Sequence, residues 1–118
     1  MMLKMNTRVV GGIPVLECHG RIVFGEESSA LRESVHRLVE ENSRLVLNLG
    51  GVNYIDSGGL GTLVALYTSG KRNGSTIKLA SLTQRVDDLM QVTKLLTVFE
   101  VYDNEQSALE SFGQGAAA

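Results

Sequence analysis

The sequence predicts one α/β domain: a mixed β-sheet that opens with a hairpin and has about four helices packed against it. Three patterns carry this prediction. Gly11-Gly12 divides two strand-like stretches, as in a tight hairpin. The apolar run Leu45–Leu49, a helix-period segment and a second core strand, Thr76–Ala80, follow one another over roughly 35 residues. That is a βαβ unit, whose crossover is right-handed in nearly all proteins. Residues 30–41 carry their apolar side chains on a single helical stripe.

Taken in order, residues 3–10 alternate loosely, with Leu3, Met5, Thr7 and Val9 on one side, and predict the first strand. Ile13 to Ile22 forms the return strand. Pro14 has no N–H to give a ladder, so it belongs at the strand start or on an edge. Gly25-Glu26-Glu27-Ser28 reads as a loop feeding a helix from Ala30 to Glu41, with Leu31, Val35, Leu38 and Val39 facing inward. Leu45–Leu49 is too short for a helix and does not alternate, which suits a strand covered on both faces. The next helix shows Leu60, Leu63, Val64 and Tyr67 at i, i+3, i+4 and i+7 and ends at Asn73-Gly74, where glycine suits a left-handed cap. A helix over 83–94, a short strand Val98–Tyr102 and a helix Glu105–Phe112 complete the expected domain at 1–112, with a frayed tail over 113–118.

Composition narrows the function. The chain has 118 residues, 43% of them hydrophobic and 20% charged, which is enough for an ordinary core without staples. A net charge of −2 without a basic block speaks against nucleic acid. The single cysteine, Cys18, has no partner for a disulfide or a metal site and reads as a small apolar strand residue. No apolar run approaches the ~20 residues that span a bilayer, and the start is too polar for a signal peptide, so a cytoplasmic protein without membrane insertion is expected. No cofactor or metal is expected.

The most informative stretch is Val52-Asn53-Tyr54-Ile55-Asp56-Ser57-Gly58-Gly59-Leu60-Gly61. It places a hydroxyl where a buried strand hands over to a helix N-terminus, a position that favours anions through free N–H groups and the helix dipole. Helix capping by Asp56 or Ser57 accounts for the polar pair. It does not account for Gly58, Gly59 and Gly61, which weaken a helix start; close approach of a partner backbone is one compensation. Asp-Ser-Gly-Gly also surrounds the nucleophile of trypsin-like proteases. Here neither His19 nor His36 comes with an orienting acid, and Ile55 stands where a nucleophile elbow has its first glycine, so a serine hydrolase is rejected and no enzyme is expected. Ser69-Gly70-Lys71-Arg72 fails as a phosphate loop, because Ala65 and Arg72 replace its glycine and its Ser or Thr.

The Asp-Ser motif with its preceding strand, together with Thr76–Ala80, Val98–Tyr102 and the glycine-ended Leu16-Glu17-Cys18-His19-Gly20, resembles the STAS-domain family, in particular the small bacterial anti-sigma factor antagonists. The resemblance covers nearly the whole chain. It implies a partner-switching cycle. The unmodified protein binds an anti-sigma factor that is also a serine kinase of the histidine-kinase-like ATPase type, freeing a sigma factor. The kinase then phosphorylates the loop serine and ends binding, and a metal-dependent serine phosphatase resets it. Ser57 matches the phosphorylated position. The second serine often found in the family is Gly58 here, and Val23 stands where an acidic residue is common. The partner surface expected from the loop and its neighbours comprises Asp56, Ser57, Gly58, Gly59, Gly61, Thr62, Arg21, Phe24 and Glu26. Phe24 is either an exposed anchor or a cap on the core. The alternative implied function is an adaptor or scaffold subunit of a stress-signalling assembly or an ABC transport complex, and a homodimer is compatible with either.

Overall fold

The computed structural model describes residues 1–117, with side chains described through Gly113. Its elements run β1 (Leu3–Val10), β2 (Ile13–Ile22), α1 (Glu26–Glu41), β3 (Arg44–Ile55), α2 (Ser57–Arg72), β4 (Thr76–Ala80), α3 (Gln84–Val92), β5 (Val101–Tyr102) and α4 (Glu105–Ala117). The five strands lie in sequence order; β1 and β2 are antiparallel, and every later pair is parallel. The mixed sheet with an opening hairpin is therefore the fold that the sequence pattern predicts. Gly11 and Gly12 both take positive φ in the hairpin turn, and Pro14 lies at the start of β2, opposite Val9 and before the pairing with β3 begins.

The sheet has two unequal faces, and strand alternation decides which side chain goes where. Leu45, Leu47 and Leu49 of β3 join Leu16, Cys18, Ile77 and Leu79 in the larger core, closed by Leu31 and Val35 of α1, Leu60, Leu63 and Leu66 of α2, and Val86 and Met90 of α3. Val46, between them, points the other way and meets Val15, Ala80 and Ala108 of α4. Thus β3 is covered on both faces, as its apolar, non-alternating stretch implies. Burial pushes the Cys18 thiol up to about 12, which leaves it an inert core residue.

Four boundaries differ from the sequence expectation. β3 does not stop at Leu49 but continues to Ile55, because β2 still offers pairing partners: His19 faces Gly51 and Ile22 faces Ile55, with irregular register between. Gly50-Gly51 imitates a turn, yet Gly51 serves close packing, since a Cβ there would stand 2.1 Å from His19 Nδ1. α1 begins at Glu26, one turn before the apolar stripe; Glu27 and Ser28 of that turn are buried. The expected strand Val98–Tyr102 narrows to Val101–Tyr102, with Phe99 buried edge-on against Tyr67 at 5.4 Å. α4 passes Phe112 and runs to Ala117, so the tail expected at 113–118 is helical as far as described; Ala118 lies outside the described residues. No described helix is long and apolar enough to cross a membrane.

α4 is held to the sheet by polar as well as apolar contacts. The Arg8 guanidinium of β1 bridges Glu17 of β2 and Glu105 in the first turn of α4, and Asn48 of β3 donates to the same Glu105 carboxylate at 2.9 Å. Lys78, 6% exposed, donates to Ser111 at 2.7 Å, lies 3.4 Å from Glu100, and has its ammonium 4.2 Å from the Phe112 ring centroid. The Arg8 hydrogen bonds, then Asn48, hold the Glu105 carboxyl below its ordinary value of 4.5. A depressed carboxylate value contributes stability above the ordinary value and loses it as pH falls through the lowered one. Glu105→Gln is therefore expected to unfold more easily in urea at pH 7, by about 1 kcal/mol or less, with the gap to wild type closing as pH drops below 4.5.

Candidate functional site

The carboxyl ends of β2 and β3, the two connections that leave them, and the start of α2 meet at one end of the sheet. In open α/β sheets this is where functional sites collect. Asp56 is the hinge of the arrangement. It is the only residue between β3 and α2, with extended backbone angles suited to an N-cap. Its Oδ1 accepts from Gly59 N–H at 2.7 Å, and both carboxylate oxygens accept from Phe24 N–H, at 3.2 and 3.1 Å. Its own N–H donates to Ile22 O at 3.3 Å. One side chain thus caps a helix and ties down the connection between β2 and α1.

Capping is therefore assigned to Asp56, and Ser57 is left over. Ser57 is the first helical residue, is exposed, and its hydroxyl makes no hydrogen bond among the described residues. Its place puts it against the positive end of the α2 dipole, beside the first-turn N–H groups. An added anion there is tolerated in the free protein, although the Asp56 carboxylate opposes it.

The three glycines divide by cause. A Cβ on Gly59 would lie 2.1 Å from Ile22 O, and one on Gly58 would lie 2.6 Å from Phe24 Cβ; a Cβ on Gly61 would meet nothing within 4 Å. Gly58 and Gly59 let the helix start press against the end of β2 and the Phe24 loop, so contact within the domain compensates for their cost in helix propensity. Gly61 alone leaves open surface. It borders an open groove of about 500 Å³ between α1 and α2, with Phe24, Ser29, Arg32 and Ala65 among its walls.

The remaining expected residues fall as follows. Phe24 is 81% exposed, which resolves its two readings in favour of an exposed aromatic. Glu26 is exposed in the first turn of α1. Thr62 is 6% exposed and donates to Gly58 O at 3.0 Å, so it braces the helix start and offers little surface. Arg21 is exposed at the end of β2, its guanidinium 4.9 Å from the Tyr54 ring centroid. Sequence reasoning misses three residues here. Glu27 is buried and accepts from Met2 N–H at 2.8 Å; that bond, with its own backbone N–H, lowers its carboxyl value. Tyr54 and Arg85 also escape, because Arg85 reaches Tyr54 from α3, 4.8 Å from the ring centroid, and nothing in the local pattern links the two.

Comparison with known proteins places this geometry in company. A family model described as the STAS domain matches residues 4–108. The anti-sigma-B factor antagonist of Bacillus subtilis (strain 168) is 30% identical over 80 residues, which span 68% of this chain and 73% of that protein. Among solved structures, an anti-sigma factor antagonist from Mycobacterium paratuberculosis superposes with a TM-score of 0.79 at 22% identity, over 92% of each chain. The Bacillus cell fate determinant SpoIIAA in its phosphorylated form superposes with a TM-score of 0.69 at 13% identity, over 92% of this chain and 98% of that one.

The glycine assignments separate in a simple stability test. Gly59→Ala forces a Cβ against the Ile22 carbonyl and is expected to cost about 2 kcal/mol or more in urea unfolding. Gly61→Ala, in open space on the same helix, is expected to stabilise by up to ~1 kcal/mol.

Proposed function

Because the chain belongs to the STAS domain family, we propose that it is an anti-sigma factor antagonist whose binding is switched by phosphorylation of Ser57. The observation that carries the reading is the free, exposed Ser57 hydroxyl at the α2 N-terminus, with its capping duty taken by Asp56. A serine whose hydroxyl is engaged in capping is less open to a kinase, and here that engagement falls on Asp56. This serine is dispensable to the fold and open to another protein.

In the unmodified state the protein sequesters an anti-sigma factor that is also a serine kinase of the histidine-kinase-like ATPase type, and a sigma factor is released. Its docking surface comprises Ser57, Gly61, the exposed Phe24 and the flanking Arg21 and Glu26, with Asp56, Gly58, Gly59 and Thr62 as the frame that presents them. Phe24 has the character of an anchor, a large aromatic side chain on a backbone pinned at its own N–H.

Phosphorylation adds about −1.5 to −2 charge. In water the helix dipole and first-turn N–H groups accommodate it. In a packed interface the dianion must be stripped of water beside Asp56, and an uncompensated buried charge costs several kcal/mol. At ~1.4 kcal/mol per decade, 3–4 kcal/mol weakens binding by hundreds-fold without any change of fold. A metal-dependent serine phosphatase restores the binding form.

The test uses a purified kinase-type anti-sigma factor from the same cell extract, with ATP. Wild type is expected to take up one phosphate and Ser57→Ala none, as read by intact mass. Ser57→Ala is expected to bind the kinase as tightly as wild type, and Ser57→Asp at least about tenfold more weakly. Equal binding by all three would make Ser57 an ordinary surface residue and the chain a constitutive adaptor.

A further inference from the structure

Beside the Ser57 loop lies a charged cluster that shares Arg21 with the docking surface proposed above and adds Tyr54 and Arg85 to it. Tyr54, one residue before the end of β3, pairs across the sheet with Arg21 of β2, and the first turn of α3 brings Arg85 to the same ring. The two guanidinium carbons stand 4.9 and 4.8 Å from the Tyr54 centroid, so the two charges lie within about 10 Å of each other. At physiological ionic strength screening over ~8 Å reduces the repulsion between two such exposed charges. The π-face of Tyr54 holds them there.

Both arginines are exposed, and neither guanidinium has a hydrogen bond or ion pair among the described residues. The acids around them are engaged elsewhere. Asp87 and Asp88 of α3 accept from Gln91 and Gln84, at 2.6 and 2.7 Å. Glu27 feels the charge of Arg21 but is bonded to Met2 N–H. Stacking engages the face of a guanidinium and leaves its N–H edge, whose fork matches a carboxylate in two parallel bonds. The ring also restricts the two long side chains in advance, which lowers the ordering cost of binding.

We propose that Arg21, Tyr54 and Arg85 form a recognition site for acidic side chains of a protein partner. Carboxylates seated on the exposed forks make charge-assisted bonds to them. Nucleic acid is the poorer occupant: the chain carries a net charge of −2, and the one aromatic face in the cluster is already covered by cations. The site is continuous with the Ser57 surface. The Arg21–Tyr54 pair is one rung from Ile22–Ile55, and Ile22 O accepts the Asp56 N–H. The assignment rests on the reading of this end of the sheet as the partner face, and adds to it a charge complement for acidic side chains.

The test is an NMR titration of the isotope-labelled full chain with a hexaglutamate peptide, following backbone amides and arginine Nε–Hε resonances, with inorganic phosphate titrated in parallel. The expected result is joint, saturable movement of the Arg21 and Arg85 side-chain signals, with hexaglutamate binding at least about tenfold tighter than phosphate. Arg21→Gln/Arg85→Gln, both at exposed positions, is expected to weaken peptide binding at least about tenfold while its remaining amide spectrum stays that of the folded protein. Tyr54→Leu, which keeps both charges and removes the platform, is expected to weaken it severalfold. Absence of peptide binding, equal binding by the double variant, or equal affinity for phosphate and peptide would each overturn the site. None of these outcomes bears on whether a kinase modifies Ser57, so failure here is distinguishable from failure of the switch.

Discussion

The end of this domain at which β2, β3 and α2 meet depends on one carboxylate. Asp56 accepts three close N–H contacts from two separate segments, Gly59 in the first turn of α2 and Phe24 on the way into α1. A half-buried carboxylate is well placed for this, since backbone N–H groups bonded to a charged acceptor give stronger contacts than neutral pairs. The consequence is geometric. The helix start, the Phe24 loop and the ends of β2 and β3 become one rigid surface, and Ser57 stands on it with no structural duty of its own.

The glycines follow from that constraint. To bring Phe24 N–H within reach of a residue that also caps α2, the helix start must lie almost on the backbone of β2. Ile22 O is then so near Gly59 that no side chain fits, and Phe24 Cβ occupies the space that a Gly58 side chain would need. A motif that looks like a surface opened for a partner is in large part the packing solution for a short connection. Only at Gly61 does the missing side chain leave open surface.

The opposite face of the sheet is organised by different means. α4 covers a small apolar patch and is also tied down by the Arg8–Glu105 ion pair, the Asn48 hydrogen bond and the buried Lys78. The division keeps the larger core with α1, α2 and α3, the elements that flank the Asp56–Ser57 turn. The basic cluster at Tyr54 draws on β2, β3 and α3 of that same layer.

Much of this was legible in the chain, because the relevant signals are local. Hairpin glycines, a proline at a strand start, short apolar stretches and helical stripes depend on neighbours a few residues away, and they delimit β1, β2 and β4 and establish the existence of all four helices. The Asp-Ser turn at the head of α2 is local in the same way. Tertiary structure alone decided the rest. Residues 50–55 are strand because β2 lies beside them, and Gly50-Gly51 is indistinguishable from a turn until His19 is seen against it. Which of Asp56 and Ser57 caps the helix turns on Phe24, far away in sequence and close in space. The meeting of Arg21, Tyr54 and Arg85 on one ring has no sequence period at all. Periodicity reports which face a residue turns toward the core; which residues from other elements share that place is settled only when the elements pack.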